Sequence, residues 1–151
     1  MREFETIADY VNHVGKEIGV SDWVKIDQER INLFADATGD HQWIHVDAER
    51  AARELPTKAT IAHGFLTLSL VPMLTQSISR IKSIKRGINY GTNKVRFTNM
   101  VPVNSRVRAR HKLLKAEPKA GGMQLTSEIT VEIEGQDRPA CIAETVGVMY
   151  E

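Results

Sequence analysis

The chain has 151 residues, 42% of them hydrophobic and 26% charged, with a formal net charge of +1. That length and mix predict one globular domain over residues 1–151, and the near-neutral balance gives no overall drive toward nucleic acid or an anionic membrane. The single cysteine, Cys141, can form neither an internal disulfide nor a thiolate cage, so a reducing, cytoplasmic setting is expected.

Residues 1–15 carry Glu3, Glu5 and Asp9 and no apolar core, so no signal peptide is expected. A first helix is predicted from Thr6, which stands at capping-pair spacing from Asp9, to Gly15. A second is predicted from an Asp27 cap, flanked by Ile26 and Ile31 at staple positions, to a Gly39 stop; its apolar stripe is Ile31, Phe34, Ala35 and Thr38. Asp47 is expected to cap a short third helix over residues 48–55, which Pro56 ends. From Gly64 to about Ile81 apolar residues surround most of the helix circumference, predicting a central helix buried on nearly all sides. The apolar run of residues 61–74 is well short of the roughly 20 residues that span a bilayer.

Strands follow. One is predicted over residues 88–98 and another over residues 103–113. A third, over residues 123–134, alternates apolar and polar side chains, the pattern of a sheet with one wet face. Gly121 and Gly122 separate the last two at hairpin spacing. A final strand, residues 140–150, is apolar on both faces and therefore expected to be central. Helices followed by strands make an α+β fold: a curved antiparallel sheet wrapped around one long apolar helix.

Two segments offer chemistry. Between the Gly39 stop and the Asp47 cap, Asp40 and His45 stand five residues apart across a tight loop, where a carboxylate and an imidazole can converge on one water for acid–base work near neutral pH. The plainer alternative is that Asp40 satisfies loop amides and His45 is simply exposed or packed. His41 reads as a surface residue. In the second segment, Ile61-Ala62-His63-Gly64-Phe65-Leu66, an extended entry meets a helix start. The unpaired amide of Gly64 suits a developing oxyanion, with no side chain to obstruct a carbonyl. Alternatively Gly64 only permits close helix–sheet packing and His63 is a hydrogen-bonded cap residue.

Together, residues 34–51 and Ala62-His63-Gly64-Phe65-Leu66 closely resemble the MaoC-like, R-specific enoyl-CoA hydratase family. The matching signature is an aromatic residue, Gly39-Asp40, four residues, His45, five more and a small residue, then a His-Gly-hydrophobic helix start. One departure stands out: Gln42-Trp43 replaces the usual Asn-Pro, which keeps a hydrogen-bonding side chain but loses proline's fixed φ. The run from Ile88 to Phe97, with Val101-Pro102-Val103, is similar to the nodulation-protein-N-like branch.

The resemblance implies a hot-dog fold and a homodimer. It implies that Asp40 and His45 hold the water and that the Gly64 amide polarises a thioester carbonyl, with Gly39 and Gln42 supporting the loop. The implied reaction is reversible syn addition of water to a trans-2-enoyl-CoA, giving an (R)-3-hydroxyacyl-CoA. Coenzyme A enters only as part of the substrate, and no metal or other cofactor is expected. A hot-dog thioesterase and a non-catalytic acyl-thioester module, with Trp43 closing the pocket, are the alternatives. Arg106, Arg108, Arg110 and Lys112, with Lys82, Lys85 and Arg86, read as a solvated face rather than a phosphate site. His111 reads as structural and Glu144 as paired or at an interface.

Overall fold

A computed structural model describes all 151 residues. Five strands form the main antiparallel sheet: β2 (Glu17–Val20), β5 (Arg86–Phe97), β6 (Arg106–Lys119), β7 (Gly122–Ile133) and β8 (Cys141–Tyr150), ordered β2-β6-β7-β8-β5. The short β3 (Val24–Lys25) also pairs with β6, while β1 (Arg2–Phe4) and β4 (Ser79–Ile81) make a separate parallel pair. The doubly apolar strand β8 lies inside the sheet, as its composition predicts. The two-residue turn joining β6 to β7 holds Ala120 and Gly121 at φ 49 and 78, so both central residues are left-handed as a tight hairpin demands.

Along β6, Val107, Ala109, His111 and Leu113 point inward and alternate with Arg106, Arg108, Arg110 and Lys112. The outward arginines meet acids rather than standing free: Arg106 pairs with Glu134, Arg108 with Glu132, and Arg110 with both Glu132 and Glu17. Lys82 is likewise taken by Glu3 and Glu5. Glu144 accepts a 2.7 Å hydrogen bond from Asn93.

The inner face of the sheet packs on two consecutive helices, α5 (Gly64–Ser69) and α6 (Val71–Gln76). This corrects the expectation of one helix from Gly64 to Ile81. Pro72 has no N–H to give the Leu68 carbonyl, so the helix is interrupted at Leu70, although the Leu70-to-Leu66 and Leu74-to-Leu70 bonds carry the axis across. Residues 79–81 leave the helix to pair with β1. Nor is the helix covered on all sides. Leu66, Leu70, Val71 and Leu74 are buried against the sheet, each contributing roughly 2 kcal/mol of apolar burial, but Phe65 is 68% exposed.

The earlier helices are α1 (Ile7–Val11), α2 (Gln28–Thr38), α3 (Trp43–Val46) and α4 (Ala48–Glu54). Thr6 and Asp9 form the expected capping box, yet α1 stops at the Asn12 cap, short of Gly15. Asp27 caps α2 through the Arg30 amide, and Gly39, at φ 78, ends it. Asp47 caps α4 through the Arg50 amide. These caps fix both ends of the loop that carries Asp40.

Candidate active site

The loop after Gly39 folds back on itself through Asp40. The Gln42 amide donates to Asp40 Oδ1 at 3.3 Å, and the Gln42 carbonyl accepts from the His45 amide at 3.0 Å, opening the single turn of α3. Gln42 therefore supports the loop through its backbone; its side chain makes no hydrogen bond. Trp43 lies under the Arg50 guanidinium at 4.1 Å and does not line the cavity that holds His45 and Gly64. His41 is exposed and paired with Asp36, which raises its pKa.

α3 turns His45 inward, where the side chain is 6% exposed. Its Nδ1 lies 2.7 Å from the Ile61 carbonyl. A carbonyl only accepts, so Nδ1 carries the proton and Nε2 is left as a lone-pair acceptor. Burial pushes the His45 pKa below the ordinary 6.5; the Ile61 carbonyl opposes this, neighbouring His63 adds to the lowering, and Asp40 opposes it. The result near neutral pH is an uncharged imidazole with one basic nitrogen.

His63 is the residue whose part was not legible. It is 3% exposed, precedes α5, and makes no side-chain cap to that helix. Its Nε2–H instead donates to the Asp40 carbonyl at 3.0 Å, while its ring stacks on His45 at a centroid distance of 3.8 Å. The nitrogen left over, Nδ1, is buried without a partner. An oxygen of the Asp40 carboxylate and one ring nitrogen each from His45 and His63 lie within 4.8 Å of one another. Two nitrogens and a carboxylate are a set that can bind a metal ion, and the two rings lie stacked 24° apart.

Gln28 was missed altogether. From the first turn of α2 its side chain donates to the His45 carbonyl at 2.7 Å and accepts from the Thr60 hydroxyl at 2.5 Å, bracing the imidazole from behind. The contact spans 17 residues of sequence, and no local pattern announces it.

Gly64 begins α5. The first hydrogen bond across the helix start runs from the Thr67 amide to the His63 carbonyl, so the Gly64 amide lies ahead of the ladder. A Cβ at Gly64 would stand 2.7 Å from the Phe97 ring, so the glycine also permits the close approach of β5. The packing alternative for Gly64 therefore holds, and its amide lies outside the helix ladder. His45, Gly64, Thr67, Phe97 and Arg138 share the wall of an open cavity of about 670 Å³. Asp40 is exposed and does not line this cavity, although its carboxylate lies within 4.8 Å of a ring nitrogen of His45.

Comparison with known proteins identifies the family and the fold. Residues 9–135 match the MaoC-like domain. The chain is 55% identical over 147 residues to 3-hydroxyacyl-thioester dehydratase Z of Mycobacterium tuberculosis, covering 97% of each chain. It is 46% identical over 146 residues to nodulation protein N of Rhizobium leguminosarum bv. viciae, covering 95% of this chain and 91% of the other. Among solved structures, the unliganded R-hydratase PhaJ1 of Pseudomonas aeruginosa superposes with a TM-score of 0.70 at 23% identity, over 91% of this chain and 82% of that one. At that identity the superposition establishes a shared hot-dog fold.

Proposed function

The chain belongs to the MaoC-like domain family, and from that premise we propose that it is a hydro-lyase acting on acyl thioesters, interconverting a trans-2-enoyl-CoA and an (R)-3-hydroxyacyl-CoA. The observation that carries the reading is the meeting of the Asp40 carboxylate with a tautomer-fixed His45 within 4.8 Å, beside a helix start with a free amide.

In the hydration direction, a water held between Asp40 and His45 attacks C3 of the enoyl group and gives its proton to His45 Nε2. The Asp40 carboxylate accepts a hydrogen bond from the water's other O–H, which stays on the oxygen as the new hydroxyl, and it offsets the charge of the imidazolium. Electron density moves from the double bond to the thioester oxygen, where the Gly64 amide holds the enolate. The imidazolium then returns its proton to C2. One side chain serves both carbons from one side, which gives syn addition. Dehydration runs the same steps in reverse. No residue of this scheme needs a metal or a redox group, and coenzyme A is needed only as the substrate's carrier.

The thioesterase reading shares the fold but has no use for a base placed over C3. Crotonyl-CoA separates the readings: the enoyl absorbance falls without thiol release for a hydratase, thiol appears for a thioesterase, and neither occurs for a binding module.

We also propose a homodimer, joined along β5. That strand has twelve residues, borders the sheet and pairs only with β8, and Ile88, Tyr90 and Phe97 stand 49%, 61% and 43% exposed on it. A long unpaired edge that exposes Ile88, Tyr90 and Phe97 invites another copy of itself. Sedimentation at micromolar concentration is expected to give about 34 kDa, twice the 16.9 kDa chain. No helix is long and apolar enough to cross a membrane. The lone Cys141 is buried, and burial pushes its thiol up to about 11, so it stays protonated near neutral pH.

A further inference from the structure

The proposed reaction needs its base and its oxyanion donor at one substrate, yet the two stand on different segments of the chain. His45 lies on α3, while Gly64 opens α5 at the end of the stretch 60–63. Main-chain bonds begin to join them. The Ile61 amide donates to the Ile44 carbonyl at 3.1 Å, and the Ala62 and Val103 amides tie the same stretch to residues 101–103 by donating to the Val101 and Thr60 carbonyls.

One side chain from a third element reaches both segments. Gln28, half-buried in the first turn of α2, donates from Nε2 to the His45 carbonyl at 2.7 Å and to Asn32 Oδ1 at 2.9 Å, and its Oε1 accepts from the Thr60 hydroxyl at 2.5 Å. The His45 carbonyl only accepts, so the amide nitrogen must face it. Both N–H bonds are then used and the oxygen is left for Thr60, which makes the amide a fully bonded spacer with one orientation. Thr60, 1% exposed, immediately precedes Ile61, whose carbonyl takes the proton of His45 Nδ1. The amide therefore grips the backbone of the base and, one residue away, the carbonyl that fixes its tautomer. Neither Gln28 nor Thr60 lines the cavity shared by His45 and Gly64.

We propose that Gln28 and Thr60 are positioning residues for the hydration step: together they set where the His45 imidazole stands relative to the segment that ends in the Gly64 amide. This deepens the dehydratase reading and rests on it. A base displaced by about 1 Å can cost on the order of 100-fold in rate while the substrate still binds. Loss of the clamp should therefore fall on kcat and spare KM.

The test compares kcat and KM for crotonyl-CoA hydration in Gln28→Met, which keeps the side chain's length without the amide, in Thr60→Val, which keeps the shape without the hydroxyl, and in Thr60→Ser, which keeps the hydroxyl. The first two are expected to lower kcat by about 10- to 100-fold with KM within about twofold, and Thr60→Ser to stay within about threefold of wild-type kcat. Adding Gln28→Met to His45→Ala should cost nothing further, because a positioning residue has no effect once the group it positions is gone. General loosening of the fold would instead lower the rate in both backgrounds. Thermal melts identify a variant that fails to fold, and the other member of the clamp, tested in the same His45→Ala cycle, then decides. Wild-type kcat in folded Gln28→Met, a rise in KM without a fall in kcat, or a full further loss on top of His45→Ala overturns the inference. Thr60→Ser as slow as Thr60→Val overturns the part assigned to the hydroxyl. Absence of hydration by the wild-type protein overturns the dehydratase reading itself, and this inference with it.

Discussion

His45 and His111 are both buried imidazoles whose pKa values burial depresses, yet their hydrogen-bond partners differ in kind. At the mouth of α5, His45 gives Nδ1–H to a backbone carbonyl, a group that can only accept, so its tautomer is fixed and its second nitrogen is a base. Deep in the sheet, His111 faces two hydroxyls, which donate or accept as required, so nothing fixes where its proton sits. Burial alone therefore does not make a catalytic histidine. The partner decides where the proton sits: a carbonyl that only accepts fixes the tautomer and leaves the second nitrogen basic, whereas hydroxyls leave it open.

The largest test of that contrast removes the base. His45→Ala and Asp40→Asn should each lower turnover on crotonyl-CoA by roughly 100- to 10,000-fold in steady-state assays, the range for loss of general acid–base assistance. If His45→Ala keeps more than about half of wild-type turnover, the imidazole is not the base and the distinction from His111 disappears. Next in size is the oxyanion donor. A simple Gly64→Pro variant would confuse two effects, because any Cβ there meets the Phe97 ring at 2.7 Å. Placing Gly64→Ala and Gly64→Pro each in a Phe97→Ala background removes that clash from both. The two then differ chiefly in the amide, and the proline form should be slower in kcat by roughly 100- to 1,000-fold.

How much of this was open to a reader of the sequence follows the same division between local and distant partners. Asp27, Asp47, Thr6 and Gly39 announce themselves because a cap and the amide it satisfies lie within a few residues. Asp40, His45 and Gly64 were found through the motif resemblance, since their convergence depends on how two separate segments pack. The paired strands β6, β7 and β8 carry period-two patterns long enough to detect. Strands β1 to β4, with two to four residues each, hold too few side chains to show any period. The break at Leu70 was present in the sequence as Pro72, but the surrounding apolar residues masked it. The Gln28 and His63 braces had no signal, because each acts on a residue far along the chain.

Stability provides the third test, on the deep histidine. The His111 pKa of about 4 lies below the ordinary 6.5 of an unfolded chain, so between those values the unfolded state binds the proton that the folded state refuses. Stability should therefore be unaffected by this group above about pH 6.5 and decline as pH falls toward 4, by about 3 kcal/mol in all. Urea melts at a series of pH values should show the decline, and it should be shallower in His111→Leu. An unchanged slope in that variant would mean that the carboxylates, not this imidazole, set the acid sensitivity.

The smallest expected effect separates His45 from its stacked neighbour. A base acts only when unprotonated, so activity should rise with pH through the His45 pKa, placing the acid limb of kcat below the ordinary histidine value of 6.5. His63 contributes to that lowering, because a second ring taking up charge nearby disfavours protonation of the first. His63→Gln retains a donor for the Asp40 carbonyl and removes the second ionising ring. The acid limb of the pH profile should then move to higher pH, while turnover on the plateau changes far less than in the Asp40 and His45 variants. A loss of plateau activity with no movement of the limb would assign His63 to holding the Asp40 loop alone. A limb that moves to lower pH would mean that the variant has let the Asp40 carboxylate move away from His45, since that charge opposes the lowering.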